Sequence, residues 1–307
     1  MRGFWLLLFA AVLLCHWGFL PSKADETASG KVEDWVYLDN GKLRLGVIRS
    51  SGAAMGFLAL SGSTTNLLNH YDRGRLVQQS YYGDADGSLW GQQAWRYNPV
   101  QGGDYHGKSP RLLELRSTST NLYSRSVPRH WATGADLSEC WMEQWITLQD
   151  MVVHARFQMT YQGTNRHAAR HQEIPAIFVD ASLSTLVTYT GSAPWTGALV
   201  SRRTPGPTNE YLPIHENWVA YVDGRDFGVG AYVPVATEAT CYRYPGKSGS
   251  DCSYVAPIQT FALTPGLRFT YDAYFSVGRL EDLRTRFYRI HETRTGSGNV
   301  PSAARPI

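Results

Sequence analysis

Residues that alternate between apolar and polar, or run apolar in β-forming types, recur along most of this chain. Residues 36–38, 43–48, 140–148 and 152–161 follow the pattern, as do 176–179, 218–222, 228–233, 258–263 and 269–277. A period of two is the mark of a strand with one buried face. Turn formers separate the runs: Asn40-Gly41, Gln149-Asp150, Asp223-Gly224 and Pro265-Gly266. Asn-Gly between two such runs predicts a tight hairpin. A helical period shows only at 280–292, where Leu280, Leu283, Phe287 and Ile290 share one face. The pattern predicts an all-β chain, a large antiparallel sandwich with long loops over 35–292 and one C-terminal helix. No repeat and no change of composition marks a second domain.

Two stretches depart from the alternation. Residues 71–83 (YDRGRLVQQSYYG) are polar on both parities, with Arg73, Arg75, Gln79 and Tyr81 on one and Asp72, Gln78, Ser80 and Tyr82 on the other. Residues 90–107 (WGQQAWRYNPVQGGDYHG) collect Trp, Tyr, Gln, Asn and Gly around Asp104 and His106. Trp90, Trp95, Tyr97 and Tyr105 either fill the core beneath long loops or offer flat faces to a ligand, with amides beside them for hydroxyl groups.

Residues 1–24 read as a secretory leader: Arg2, an apolar stretch from Phe4 to Leu14, then Ser22-Lys23-Ala24. The apolar stretch is shorter than the roughly 20 residues a membrane span needs. Residues 25–34 would be a linker and 293–307 a disordered tail. Loss of the leader removes Arg2 and Lys23 and no acid, which leaves a nearly neutral protein. Nucleic acid is therefore not an expected partner, since phosphate binding needs concentrated basic charge. The expected product is secreted or periplasmic, with no membrane contact once the leader is cut. Cys140, Cys241 and Cys252 remain. In an oxidising compartment Cys241 and Cys252, with Pro-Gly and Ser-Gly-Ser turns between them, are expected to bridge, and Cys140 to stay a free core thiol.

Several residues could carry chemistry. Asp84-Ala85-Asp86-Gly87-Ser88 has the start of a calcium loop but no distal Glu, and reads as a turn; no cofactor is expected beyond that calcium candidate. In 167–175 (HAARHQEIP), His171 and Glu173 share a strand face. They could bind a metal, or act as acid and base side by side. Pro175 argues against a helical zinc site, and no metal is expected. In 213–222 (PIHENWVAYV), Glu216 and Trp218 share a face, as a carboxylate beside a sugar-stacking ring or as a surface acid beside a core Trp. Arg73 and Arg75 could hold a carboxylate or pair with nearby aspartates.

Taken in order, the Asn40-Gly41 hairpin, YDRGRLVQQSYYG, NPVQGGD, HQEIPA, HENWVAYVDGRDFGVGAYVP and VGRLEDLR resemble secreted bacterial proteins with a galactose-mutarotase-like β-supersandwich. The resemblance spans nearly all of 35–292 and implies a carbohydrate ligand; fold does not fix the reaction. It leads to an exported enzyme cleaving a glycosidic bond in an oligo- or polysaccharide, by hydrolysis or elimination. The alternatives are a non-catalytic carbohydrate-binding protein or a sugar epimerase. Glu173 and Glu216 are the expected proton-transfer pair, with His171 their partner. Arg73, Arg75, Gln79, Tyr81, Trp95, Asp104 and Trp218 are expected to bind substrate. In an elimination, Arg73 or Arg75 would neutralise a uronate, and Tyr81, Tyr82 or His171 would move the proton. The two-faced strand at 71–83 would line the cleft and fasten the 84–107 loops.

Overall fold

A computed structural model describes residues 34–247 and 249–296. The expected leader, the linker up to residue 33 and the tail beyond 296 lie outside the described residues.

Two large antiparallel sheets face each other. The nine-stranded sheet runs Ser201–Arg203, Thr185–Thr188, Trp218–Val222, Phe227–Tyr232, Leu267–Arg279, Val152–Tyr161, Cys140–Gln149, Asn121–Val127, Arg111–Ser117. The seven-stranded sheet runs Arg129–His130, Pro99–Val100, Gln78–Ser80, Arg170–Val179, Cys252–Phe261, Glu238–Tyr244, Glu210–Pro213. A three-stranded sheet, Trp35–Asp39, Leu43–Ile48 and Ala54–Leu60, opens the fold, and a small hairpin pairs Ala85–Trp90 with Gln93–Arg96. The expected sandwich is therefore present.

The alternation explains the layering. Along Cys140–Gln149 every second side chain is buried, and Met142 and Ile146 meet Val153, Ala155 and Phe157 of the next strand in the core between the sheets. Asp150, at φ 52°, makes the tight turn between these strands. At the first hairpin Asn40 accepts the amides of Lys42 and Leu43, and Gly41 supplies φ 80°. Ile174, Ile177, Val179 and Val255 close the core from the seven-stranded sheet.

The helix spans Leu280–Gly296, four residues beyond the expected end, so 293–296 are helical and not tail. Leu280, Leu283 and Phe287 bury against Trp218, Ala220, Val222 and Tyr232, with Ile290 at the margin. The helix thus covers part of the outer face of the nine-stranded sheet. Among the described residues no helix is long and apolar enough to cross a membrane.

Two sequence expectations fail here. Residues 71–76 are bends and turns, Val77 makes a single bridge to Met55, and only Gln78–Ser80 is a strand, buried throughout. Its polarity serves the fold: Gln78 holds the carbonyls of Arg73 and Gly74 and the amide of Gly102. The expected Cys241–Cys252 bridge is absent; both thiols are free. Cys241 pairs with Val255 and Cys252 with Tyr244, three positions along the same hairpin. An odd offset puts the two on opposite faces, Cys241 in the inter-sheet core and Cys252 in an outer cluster with Phe178 and Tyr254. Cys140 is a buried free thiol whose pKa burial pushes up to about 12, an inert state.

Candidate functional site

The outer face of the seven-stranded sheet carries a cleft of about 350 Å³. Its floor is built by cross-strand register. Glu173 stands opposite Ile258, and Tyr211 opposite Thr240, so each pair points to the same side. Tyr82 enters from just past the Gln78–Ser80 strand, and Tyr254 from the neighbour of the strand bearing Glu173. Asn209 and Tyr211 close one side; the Gln93–Arg96 strand brings Trp95 and Arg96 to the other.

A bulge sits just after Glu173. Between the Glu173–Ile258 and Ile177–Val255 pairs the first strand spends one residue more than its partner. Such an insertion breaks the alternation and re-aims the side chains around it. Here it keeps Glu173 outward in the cleft while Ile174 and Ile177 remain in the core.

Glu173 Oε1 accepts the Tyr82 hydroxyl at 2.9 Å and the Tyr254 hydroxyl as well. Burial raises the pKa of Glu173; hydrogen bonds from Tyr254, Tyr82 and Ser80 pull it down without cancelling the burial. Among the described residues no cation pairs with the carboxylate. The two phenols are themselves pushed well above the usual tyrosine range, by burial first and by Glu173 next, so they remain donors. A carboxyl with a raised pKa that opens to a cleft has the chemistry to give up a proton there.

His171 lies two residues away on the same face, half exposed, with Nε2 3.9 Å from Glu238 of the next-but-one strand. Arg170 reaches Asp84 at 2.8 Å, and Asp84 also accepts the Ala168 amide. Those bonds fasten the loop before the hairpin to the edge of the cleft. Asp86, the other acid of the expected calcium-like turn, accepts from Ser88 and lies 2.7 Å from His130. Both acids are thus engaged by the protein. Among the described residues no group of three His, Cys, Asp or Glu is placed to hold a metal ion.

The structure brings His171, Glu173 and Trp95 together, with Tyr82, and takes the other candidates elsewhere. Glu216 is fully buried beneath the helix, on the other sheet. It accepts the Trp195 amide, Trp218 Nε1, the Tyr288 hydroxyl and Arg284, the last at 2.9 Å. Burial pushes its pKa up, but the bonds from Arg284, Tyr288, Trp218 and Trp195 outweigh that and leave it low. Glu216 and Trp218 do share a face, as expected, but that face is covered. The expected Glu173–Glu216 pair is therefore not an acid–base pair across one cleft.

The remaining five are structural or core residues. Arg73 binds the Gly107 carbonyl and the Ser50–Ser51 turn. Arg75 pairs with Asp72 at 3.3 Å and lies between the rings of Tyr71 and Tyr244. Gln79 spans the sheets to the Glu143 carbonyl and takes the hydroxyl of fully buried Tyr81. Asp104 is buried and receives the amides of His106 and Lys108 in a turn. The sequence reading missed Tyr254, Arg96, Arg170, Tyr211 and Asn209. Arg170 carried a usable signal, since it precedes His171; Tyr254 and Tyr211 carried none, because only strand register brings them to Glu173.

No protein-family model matches the chain, and no curated protein does at a significant level. Solved structures match across most of it. A putative aldose 1-epimerase of Escherichia coli K12 is 12% identical with TM-score 0.53, the match covering 80% of this chain and 99% of that one. A galactose mutarotase related enzyme from Lactobacillus acidophilus is 9% identical with TM-score 0.53, over 79% and 97%. The alpha-galactosidase AgaA of Geobacillus stearothermophilus is 12% identical with TM-score 0.50, over 80% of this chain and 40% of that one. At these identities the likeness is one of fold. The chain has the galactose-mutarotase-like β-sandwich expected from its sequence.

Proposed function

We propose that the cleft takes a sugar and that the protein is an exported enzyme cleaving a glycosidic bond, with Glu173 as the general acid. The observation that carries this reading is the carboxyl of Glu173, held by the Tyr82 and Tyr254 hydroxyls at the floor of the cleft and kept toward its protonated form. In hydrolysis Glu173 gives its proton to the glycosidic oxygen as that oxygen leaves the anomeric carbon. Water adds to the carbon, and His171, on the same face, takes the proton that water sheds. Trp95 and Tyr211 offer rings to stack on the sugar, and Asn209 and Thr240 offer hydrogen bonds to its hydroxyls. The fold shared with an aldose epimerase and an alpha-galactosidase supports a sugar as ligand.

A second reading rests on one observation: Glu173 is the only carboxyl lining the cleft among the described residues. Hydrolases of the common type use two carboxyls across the bond. Ring opening of a free aldose needs only one acid at the ring oxygen and one base at the anomeric hydroxyl, which Glu173 and His171 supply. In both readings the same residue gives the proton.

The test is a panel of polysaccharides and free aldoses. Reducing ends report hydrolysis, ultraviolet absorbance reports an unsaturated elimination product, and polarimetry reports anomer exchange. Activity in one channel should fall about 10²- to 10⁴-fold in Glu173→Gln, the usual worth of a general acid. Tight oligosaccharide binding with no turnover in any channel would leave a binding protein. Full activity in Glu173→Gln would remove the catalytic assignment.

A further inference from the structure

The proposed sugar site has in its lining an arginine that no described carboxylate balances. Arg96 ends the Gln93–Arg96 strand and lines the cleft beside Trp95, its guanidinium 5.8 Å from the indole centre. The side chain is half-buried, yet among the described residues no carboxylate lies within ion-pairing distance of it. Other arginines are treated differently: Arg129 meets Asp136 at 3.0 Å and Arg170, in the same lining, meets Asp84 at 2.8 Å. Partial desolvation of an arginine without an anion is unfavourable, and an anion from outside would remove that cost.

Arg170 is a second arginine in the lining. One edge of its guanidinium is committed to Asp84, but its Nε is buried with no hydrogen-bond acceptor. A buried N–H left without an acceptor costs free energy comparable to a lost hydrogen bond. The opposing acids do not answer these donors. Asp84 is used by Arg170 and the Ala168 amide, Glu238 lies by His171, and Glu173 is held by two phenols.

We infer that the sugar bound in this cleft carries an oxyanion, the carboxylate of a uronic acid or a sulfate ester, with Arg96 as its counter-charge and Arg170 beside it. The inference rests on the sugar-site reading above and narrows it to acidic glycans. A guanidinium presents two parallel N–H donors that match the two oxygens of such a group. The same two arginines supply what Arg73 and Arg75 were expected to supply, from residues that do face the cleft.

Calorimetry with three probes of equal length tests this: an oligogalacturonate, a sulfated galactan oligosaccharide and an uncharged galactan oligosaccharide. At least one anionic probe should bind tenfold or more tightly than the uncharged one, with affinity falling as salt is raised. Arg96→Gln should weaken that probe about 10- to 100-fold, the range for a hydrogen-bonded charge contact, and leave the uncharged probe within about twofold. Arg96→Lys should recover part of the loss, and Arg170→Gln should reproduce it in part. Whichever anionic probe binds more tightly identifies the carboxylate or the sulfate as the group recognised. Equal or tighter binding of the uncharged probe, or no effect of Arg96→Gln on a bound anionic probe, overturns the inference and leaves the sugar site standing. Failure of all three probes to bind overturns both.

Discussion

Two glutamates that look alike in sequence have opposite fates. Glu173 and Glu216 each lie in or beside a strand, each with a titratable or aromatic neighbour on the same face. Around Glu173 the donors are neutral phenols, and burial outweighs them, so its pKa is raised. Around Glu216 a guanidinium joins the donors, and the proton is lost. Burial pushes both pKa values up, so burial alone does not decide which acid is poised for chemistry. What decides is whether a charge of opposite sign is buried with it. Glu216 and Arg284 fasten the helix to the sheet, and that bond is internally complete. Glu173 ends in neutral donors and an open cleft, so its carboxyl is not completed by a charge of the protein's own.

The sharpest way to break this comparison is to remove the buried acid. Glu216→Ala leaves Arg284 only 16% exposed with no carboxylate beside it. Breaking one side of a buried pair costs about 3–5 kcal/mol. We expect a loss of that size in urea unfolding and any fall in turnover to track the unfolded fraction. Arg284→Met should cost a similar amount, and the double variant much less than the sum, because the two residues form one unit. Additive losses would mean that the pair does not hold the helix as described.

The large elements were legible because two-residue alternation is a local signal, and so was the helix, whose apolar face needed only four residues. The site was legible only in part. His171 and Glu173 sit together on one strand, so sequence sees them as neighbours. Tyr254 is 81 residues from Glu173, and strand register alone makes the contact. Register also undid the cysteine expectation, since spacing along a hairpin does not reveal which face each thiol takes. Glu216 and Trp218 were read correctly as sharing a face, but nothing local says that a helix beginning 64 residues later will cover it. The polar run at 71–83 misled because a chain that turns tightly needs side-chain amides to satisfy its backbone, as Gln78 does, and such residues look like ligand contacts.

A smaller effect should come from the phenols. Each hydroxyl stabilises the ionised form of Glu173 and so lowers its pKa. Tyr254→Phe and Tyr82→Phe should each raise it, since each removes a hydrogen bond to the ionised form. If protonated Glu173 is the working form, activity falls as pH rises through its pKa. The alkaline limb of the pH–rate profile should therefore move to higher pH in both variants. A limb that stays in place would detach the phenols, or Glu173 itself, from the proton transfer.

The smallest expected effect is on stability against pH, and it separates the two acids by sign. The folded pKa of Glu173 lies above its unfolded value, so folding favours the protonated form. The stabilisation is fully present below the unfolded pKa of about 4.3 and is lost as pH rises through the folded pKa. Glu173→Gln has no proton to lose there, so its stability should hold in the range where the wild type declines. For Glu216 the folded pKa is depressed. Its contribution is present above the unfolded pKa and is lost as pH falls through the folded one, so the wild-type advantage over Glu216→Gln should shrink toward acid pH. Urea midpoints for the three proteins, measured from about pH 3 to 9, should thus give one difference that grows with alkalinity and one that shrinks with acidity. Parallel curves for wild type and Glu173→Gln would mean that Glu173 titrates alike in the folded and unfolded chain, and the contrast between the two glutamates would be lost.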